Sequence, residues 1–371
     1  MKQRAWRRPP GSLTLTQIAR AAGVPVTVVS KVLNGRSDVS PAVRESVAAR
    51  LQEAGYTLTV PEGASALDGL VDLIVSGVQG TWANVMLSGI ERALSRTGHD
   101  VVVVVAREGE PDGRDWVQRL IARGSRGAVI ALVTPTTAQH RRLAAAGVHL
   151  VALDPHKPLP TGIPTVGATN WTGGRQAAEH LITLGHTRVA AIGGVAHHHY
   201  SQARLDGFRS ALTAHGLDES STELVRHGNW SRRGAAEAAR ELLDLPNAPT
   251  AVFACSDRMA LGIFDAAAEL GLRIPRDLSV VGFDDLPEAC WLTPALTTVR
   301  QPVSEMAELA ADTLLRLMAG EAVRAPRVEL ETRLIERGST CSLAGSVHRQ
   351  HQPPAAPTLG SQVGPPGGPA G

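Results

Sequence analysis

Two groups of side chains in this chain have types and spacing suited to chemistry. The first lies in Thr14–Asn34. Lys31 can donate to guanine O6 and N7, Thr27 and Ser30 can bond bases or phosphates, and Val26 can touch a thymine methyl. Asn34, with Thr14 and Gln17 from the preceding segment, completes a donor and acceptor set of the kind that reads a DNA groove. The second group lies further on, at the ends of apolar runs: Asp154 after HLVAL, Ser256 and Asp257 after AVFAC, and Asp284 after LSVVGF. Arg204 follows the run RVAAIGG, Trp230 sits in HGNWS, and Trp82 follows the first run. Carboxylates and an arginine fork bracket hydroxyl-rich ligands by charge-assisted hydrogen bonds, and tryptophan offers a flat apolar surface to a pyranose ring.

The elements that must carry these residues are legible. Thr14 and Gln17 have capping-box spacing, and Leu15, Ile18, Ala19 and Ala22 recur at helical intervals. Gly23 suits a left-handed helix end, and Pro25 suits the first position of a second helix. In that second helix Val28, Val29, Val32 and Leu33 face inward, leaving Val26, Thr27, Ser30, Lys31 and Asn34 outside. Ser40-Pro41 begins a third helix with a stripe of Val43, Val47 and Leu51. Helix, glycine turn and helix make a helix-turn-helix.

Beyond it, apolar runs at 71–77, 100–106, 127–133, 149–154, 188–194, 250–256 and 278–284 alternate with helical stretches. Such runs mark parallel strands buried on both faces, and parallel sheets bind ligands at the carboxyl ends of their strands. The fold class is therefore α/β. Asp257 is expected to cap the helix that it opens, and Asp285 to be structural or at the surface.

Charge agrees with a nucleic-acid reader joined to a sensor. Residues 1–60 hold nine Lys/Arg against three Asp/Glu, a net +6, so the remainder of this 371-residue chain of net charge +2 carries −4. Cys255, Cys290 and Cys341 lack metal-ligand spacing and read as free thiols in a reducing compartment. The basic start MKQRAWRRPPG has no apolar stretch behind it, and no run is long enough to span a membrane. His197-His198-His199-Tyr200 reads as a loop at a pocket rim or surface rather than a metal site. Gly193-Gly194 lacks the surrounding pattern of a phosphate loop. No nucleophile motif and no cofactor motif stands out, so neither catalysis nor a cofactor is expected.

The segments TLTQIARAAGVPVTVVSKVLN and VSPAVRESVAARLQEAGY closely resemble the headpiece of LacI-type transcriptional regulators. The body resembles the periplasmic-sugar-binding-like core of that family, most specifically in AAEHLITLGHTRVAAIGG, ARLDGFRSAL, FACSDRMALGIFDAAAELGLRIPRDLSVVGFDD and LTTVRQPVSEMAELAADTLL. The resemblance implies an N-terminal helix-turn-helix headpiece (13–57) after a basic tail (1–12), then a hinge or linker (58–69). It implies a two-lobed periplasmic-binding-protein-like body of parallel sheets over 70–337. One lobe would hold about 70–168 with 294–322 and the other about 169–293 with 323–337. Residues 338–371, rich in Pro, Gly, Ser and Gln, read as a disordered tail.

By the same resemblance the partners are double-stranded operator DNA, a small-molecule effector that is most often a sugar, and a second copy of the chain in a homodimer. The function implied is a cytoplasmic repressor of carbohydrate-utilisation genes, released from its operator when the effector closes the lobes. The family supports Arg204, Asp284 and Trp230 as effector contacts, with Asp154 beside them. This chain departs from the family at several places. Val28 stands where Thr is usual, Lys31 where Arg is frequent, Ser256 where many members have Asn, and Thr169-Asn170 where many have Asp-Asn. The hinge pattern is missing: Pro61 and Gly63 oppose a helix there, and Leu67 is the nearest counterpart of the leucine wedge. A periplasmic sugar-binding protein shares the body, but it has no use for a headpiece.

Overall fold

The computed structural model describes residues 13–33, 39–54, 56, 69–106, 115–217, 223–323 and 325–343. Asn34 and the linker with Pro61, Gly63 and Leu67 lie outside the described residues.

The described residues of the N-terminal segment form three helices: α1 (Leu15–Ala22), α2 (Val26–Leu33) and α3 (Pro41–Glu53). α1 starts at a complete capping box. The Thr14 hydroxyl accepts from the Gln17 amide at 3.2 Å, and the Gln17 carboxamide oxygen accepts from the Thr14 amide at 2.8 Å. It ends at Gly23, whose φ of +67° is open to glycine at no steric cost. Pro25 precedes the first residue of α2, and its carbonyl accepts from Val28 and Val29. It therefore closes the turn one position earlier than its sequence context suggested. Ile18, Val29, Leu33, Val47 and Leu51 form a core that is almost completely excluded from solvent. Tyr56 clips the chain back onto the start, its hydroxyl donating to the Leu13 carbonyl at 2.8 Å.

The chain divides into two compact units, one drawn from Met1–Thr169 with Gln301–Glu331, the other from Asn170–Arg300 with Thr332–Gly371. The first unit holds β1 (Leu70–Val75), α4 (Thr81–Ser95), β2 (Asp100–Val105), α5 (Trp116–Arg123), β3 (Gly127–Ala131), α6 (Thr137–Ala145), β4 (His149–Leu153) and β5 (Thr165–Ala168). It also holds α12 (Val303–Met318) and β11 (Arg327–Leu330). Its sheet is parallel throughout, in the order β11-β5-β4-β3-β1-β2. Asp72, in the middle of β1, is buried and held by the Ser125 hydroxyl at 2.5 Å and by Arg123, while burial pushes its carboxyl above the ordinary range.

The second unit holds α7 (Asn170–Thr183), β6 (Val189–Gly193), α8 (His199–Ala214), β7 (Val225–His227), α9 (Arg232–Leu243), β8 (Ala251–Ala254) and α10 (Asp257–Glu269). β9 (Ser279–Asp284), α11 (Pro287–Trp291), β10 (Thr297–Arg300) and β12 (Arg333–Ile335) complete it. Its sheet runs β12-β10-β9-β8-β6-β7, with only the β10–β12 pair antiparallel. β8 and β9 are buried along their whole length, which is why they read as unbroken apolar runs.

Two sequence expectations need correction. Residues 294–300 do not belong with the first unit. Thr297–Arg300 is β10, paired with β9 and β12, so the chain leaves the second unit at Arg300 and returns to it after Glu331. The two threonines of that strand disguised it, yet both are fully buried. Residues 338–343 do not belong to the expected tail either, and 344–371 lie outside the described residues. Ser339 hydrogen-bonds Val280 through its backbone carbonyl at 2.8 Å and its hydroxyl at 2.6 Å. The Cys341 carbonyl meets the buried His186 ring at 3.1 Å, and the Leu343 amide reaches the Leu184 carbonyl at 2.9 Å. Residues 338–343 are thus stitched onto the second unit.

Candidate functional site: a DNA-reading helix and a buried arginine centre

α2 buries Val29, Val32 and Leu33 against α1 and α3. That burial fixes what the opposite face presents: Val26 is 39% exposed, Thr27 and Lys31 are exposed, and Ser30 is half-buried. An exposed valine beside hydroxyls and an ammonium suits a groove that offers both methyl groups and acceptors. Thr14 and Gln17 lie at the start of α1, and their side chains are engaged in the cap. Neither leaves that cap to reach a base without giving up a helix-start hydrogen bond.

In the second unit the centre is Arg204. It projects from α8 and is 3% exposed. The sequence puts it there through close helix packing. Gly174 of α7 and Gly207 of α8 let the helices touch: a Cβ on the first would lie 1.9 Å from the Arg204 carbonyl oxygen, and on the second 1.9 Å from that of Trp171. The start of α7 thereby reaches the guanidinium. Arg204 Nε donates to Asn170 Oδ1 at 2.7 Å, and one terminal nitrogen donates to the Cys255 carbonyl at 2.6 Å and to Asp284 Oδ1 at 3.3 Å. The guanidinium carbon stands 3.7 Å from the Phe283 ring centroid, 5.8 Å from Trp230 and 5.9 Å from Tyr200. Burial pushes the Cys255 thiol up to about 12, so that sulfur stays protonated and unreactive.

Trp230 is held from three sides. Its indole nitrogen donates to His198 Nδ1 at 3.1 Å, and the Tyr200 ring lies 5.2 Å away. The third side is Gly194, where a Cβ would sit 1.9 Å from an indole ring atom. His198 therefore belongs to an aromatic cluster, with its Nδ1 accepting from the indole and near the Tyr200 hydroxyl at 3.0 Å. Among the described residues no group of three or more His, Cys, Asp and Glu side chains is placed to hold a metal.

Ser256, and not Asp257, is the N-cap of α10: its hydroxyl accepts from the Met259 amide at 3.2 Å. The expectation that Asp257 caps this helix is corrected, because position 257 already has helical backbone and its carboxylate turns into the interior. Asp285 forms a largely buried ion pair with Arg337. In the first unit Asp154, 6% exposed, accepts from the Gln301 carboxamide at 2.9 Å, and Trp82 is half-buried on the first turn of α4 against that unit's core. Sequence reasoning missed Phe283 beside Arg204 and Gln301 beside Asp154, and it noted Asn170 without pairing it to Arg204. Each adjoins a strand end or starts a helix, the one signal that pointed to them.

Backbone geometry singles out the same places. Among the described residues six non-glycine positions have positive φ, and Asp154 (+47°), Trp230 (+58°) and Asp284 (+115°) are three of them. Such conformations cost energy and gather where side chains must be aimed.

Residues 14–58 match the profile of bacterial regulatory proteins of the lacI family, and residues 178–340 match that of a periplasmic binding protein-like domain. An HTH-type transcriptional regulator, MalR of Streptomyces coelicolor, is 34% identical over 339 residues, covering 89% of this chain and 97% of its own. The chain belongs to the lacI family of regulatory proteins. Two solved structures extend the comparison. A transcriptional regulator CelR–cellobiose complex has 33% identity and a TM-score of 0.66, covering 88% of this chain and 99% of its own. A lac repressor dimer bound to operator and the anti-inducer ONPF has 28% identity and a TM-score of 0.69, with 89% and 99% covered. As a family member the chain is a helix-turn-helix transcriptional regulator with a ligand-binding body, and the Arg204 centre lies in the part that matches the periplasmic-binding-protein-like profile. No described helix is long and apolar enough to cross a membrane.

Proposed function

We propose that this regulator represses carbohydrate-utilisation genes and is released from its operator by a sugar, acting in the cytoplasm without catalysis or a cofactor. The observation that carries the reading is the convergence of Arg204, Asp284 and Trp230 in a chain that also presents the outer face of α2. Arg204 and Asp284 balance each other's charge, which suits a neutral, hydroxyl-rich ligand, while the clamped indole suits a sugar ring. Arg204, Asp284 and Trp230 are the principal effector contacts in this reading, with Asp154, Ser256 and Trp82 as further ones. Ser256 contributes with a hydroxyl that also caps α10.

On the DNA side Val26, Thr27, Ser30 and Lys31 meet bases or phosphates in a major groove, and Thr14 and Gln17 lie at the phosphates through the start of α1. Asn34 belongs to this set by sequence. The headpiece spans 13–57, the linker 58–69, and the effector-binding body runs from 70 through 343 in this proposal. The regulator acts as a homodimer. Trp291 in α11 is 72% exposed and offers an apolar anchor to a second copy. The sugar shifts the dimer between DNA-competent and incompetent states through its differential affinity for them.

A thermal-shift screen with cellobiose, ribose and glucose tests the effector reading. A sugar at about 100 times its dissociation constant adds roughly 2.7 kcal/mol to stability. The reading expects at least one sugar to stabilise the protein and to weaken operator binding. A neutral sugar panel without any effect, alongside a response to a charged or apolar metabolite, would replace it.

A further inference from the structure

The turn after β9 runs Asp284–Asp285–Leu286, and its first two residues have left-handed backbones, φ +115° and +58°. Neither is glycine, so neighbouring groups must hold the turn. Arg337 holds one side through Asp285. The other side is Asp257, the first residue of α10, which is fully buried. Its Oδ2 accepts from the Leu286 amide at 2.8 Å, and its Oδ1 accepts from the Thr298 hydroxyl of β10 at 2.5 Å. Position 282 makes this approach possible, because a Cβ there would lie 2.3 Å from Asp257 Oδ1. With Ser256 filling the helix cap, the Asp257 carboxyl serves the strand ends and not its own helix. Burial, and then the charge of Asp284, hold that carboxyl well above the usual carboxylate range.

We propose that Asp257 is a positioning residue for Asp284, fixing the turn after β9 through the Leu286 amide and tying that turn to β10 through Thr298. The inference rests on the reading of Asp284 as an effector contact. It goes beyond that reading in giving the contact a mechanical connection. β10 is the strand by which the chain leaves the second unit, so one side chain joins the ligand-contact turn to the exit strand.

Hydrogen exchange of the full-length protein, read peptide by peptide, tests this without any sugar, so its failure is distinct from failure of the effector reading. Asp257→Ala should speed exchange at 284–287 by roughly tenfold or more, as expected for a lost buried hydrogen bond, while β6 and β8 stay protected. Asp257→Asn, which keeps an acceptor for Leu286 and resembles the neutral acid, should restore protection. Uniformly faster exchange across the second unit, no change at 284–287, or no rescue by asparagine would each overturn the proposal. If Asp257→Ala does not fold, Thr298→Val removes the other anchor of the same carboxyl. Faster exchange at 284–287 in that variant supports the proposal, and unchanged exchange overturns it.

Discussion

The Arg204–Asp284 pair can be taken apart one charge at a time. Both side chains are withdrawn from water, at 3% and 8% exposure. Arg204→Met removes the guanidinium from Asn170, the Cys255 carbonyl and Asp284 together, and leaves a buried carboxylate that has lost this cation. Breaking such a pair costs about 3–5 kcal/mol. Asp284→Asn is milder, because Arg204 keeps Asn170, Cys255 and its stacking on Phe283. The loss there is about 1.5–3 kcal/mol, the scale of one hydrogen bond to a charged group. The double variant contains neither charge, so its cost should fall below the sum of the single costs by about 1–3 kcal/mol. Urea unfolding should be followed by hydrogen exchange in peptides of the second unit, since a chain of two units need not unfold in one step. Costs that add to within about 0.5 kcal/mol would mean that the two groups do not interact energetically, and the picture of Arg204 as the centre of the site would be wrong.

Other perturbations read other parts of the account. Gly194→Ala places a Cβ 1.9 Å from the Trp230 ring and must displace the indole. Overpacking of this kind costs about 1–3 kcal/mol, and sugar-dependent stabilisation should fall while operator affinity without sugar is retained; an unchanged sugar titration would take Trp230 out of the site. Lys31→Ala should cost about 1–3 kcal/mol on operator DNA and much less on random-sequence DNA, measured by anisotropy; equal losses on both would reduce Lys31 to a phosphate contact. Asp257 has a folded-state carboxyl raised above its ordinary 3.8, so its contribution is fully present below that value and is lost as pH rises toward the folded value. The stability difference, wild type minus Asp257→Asn, should therefore shrink as pH is raised from about 4 to 8. A difference that stays flat or grows would mean that the carboxyl is ionised in the folded protein.

The parts legible in the sequence are those fixed by local pattern. The Thr14–Gln17 box and the glycine at 23 need only neighbours within a few residues, and they appear in the structure as read; of the stripe expected on α2, Val29, Val32 and Leu33 enter the core, whereas Val28 stays half-buried outside it. Buried parallel strands were legible because both faces demand apolar side chains, as in β3 and β8. What escaped depends on distant partners. Asp257 resembles a helix cap locally, yet its contacts are 29 and 41 residues away. Thr297 and Thr298 look like surface residues and are buried, because the Thr297 hydroxyl accepts from the Arg337 amide and meets the Thr340 hydroxyl, and the Thr298 hydroxyl donates to Asp257. Ser339 and Cys341 have the composition of a tail, and it is Val280, Ser279 and His186 that order them. Arg204, Asp284 and Trp230 were named from strand ends and from family resemblance. Their convergence depends on Gly174, Gly207 and Gly194, whose importance is visible only once the neighbouring atoms are in place.

The most direct measurement is fluorescence anisotropy of the full-length protein on DNA from upstream of its own gene, titrated with salt and with the sugar that stabilises it. A specific complex should form whose affinity falls steeply with salt and is weakened by that sugar, with Arg204→Met retaining the complex and losing the sugar response. A protein that binds the stabilising sugar yet forms no sequence-specific complex at any salt concentration would contradict the central claim.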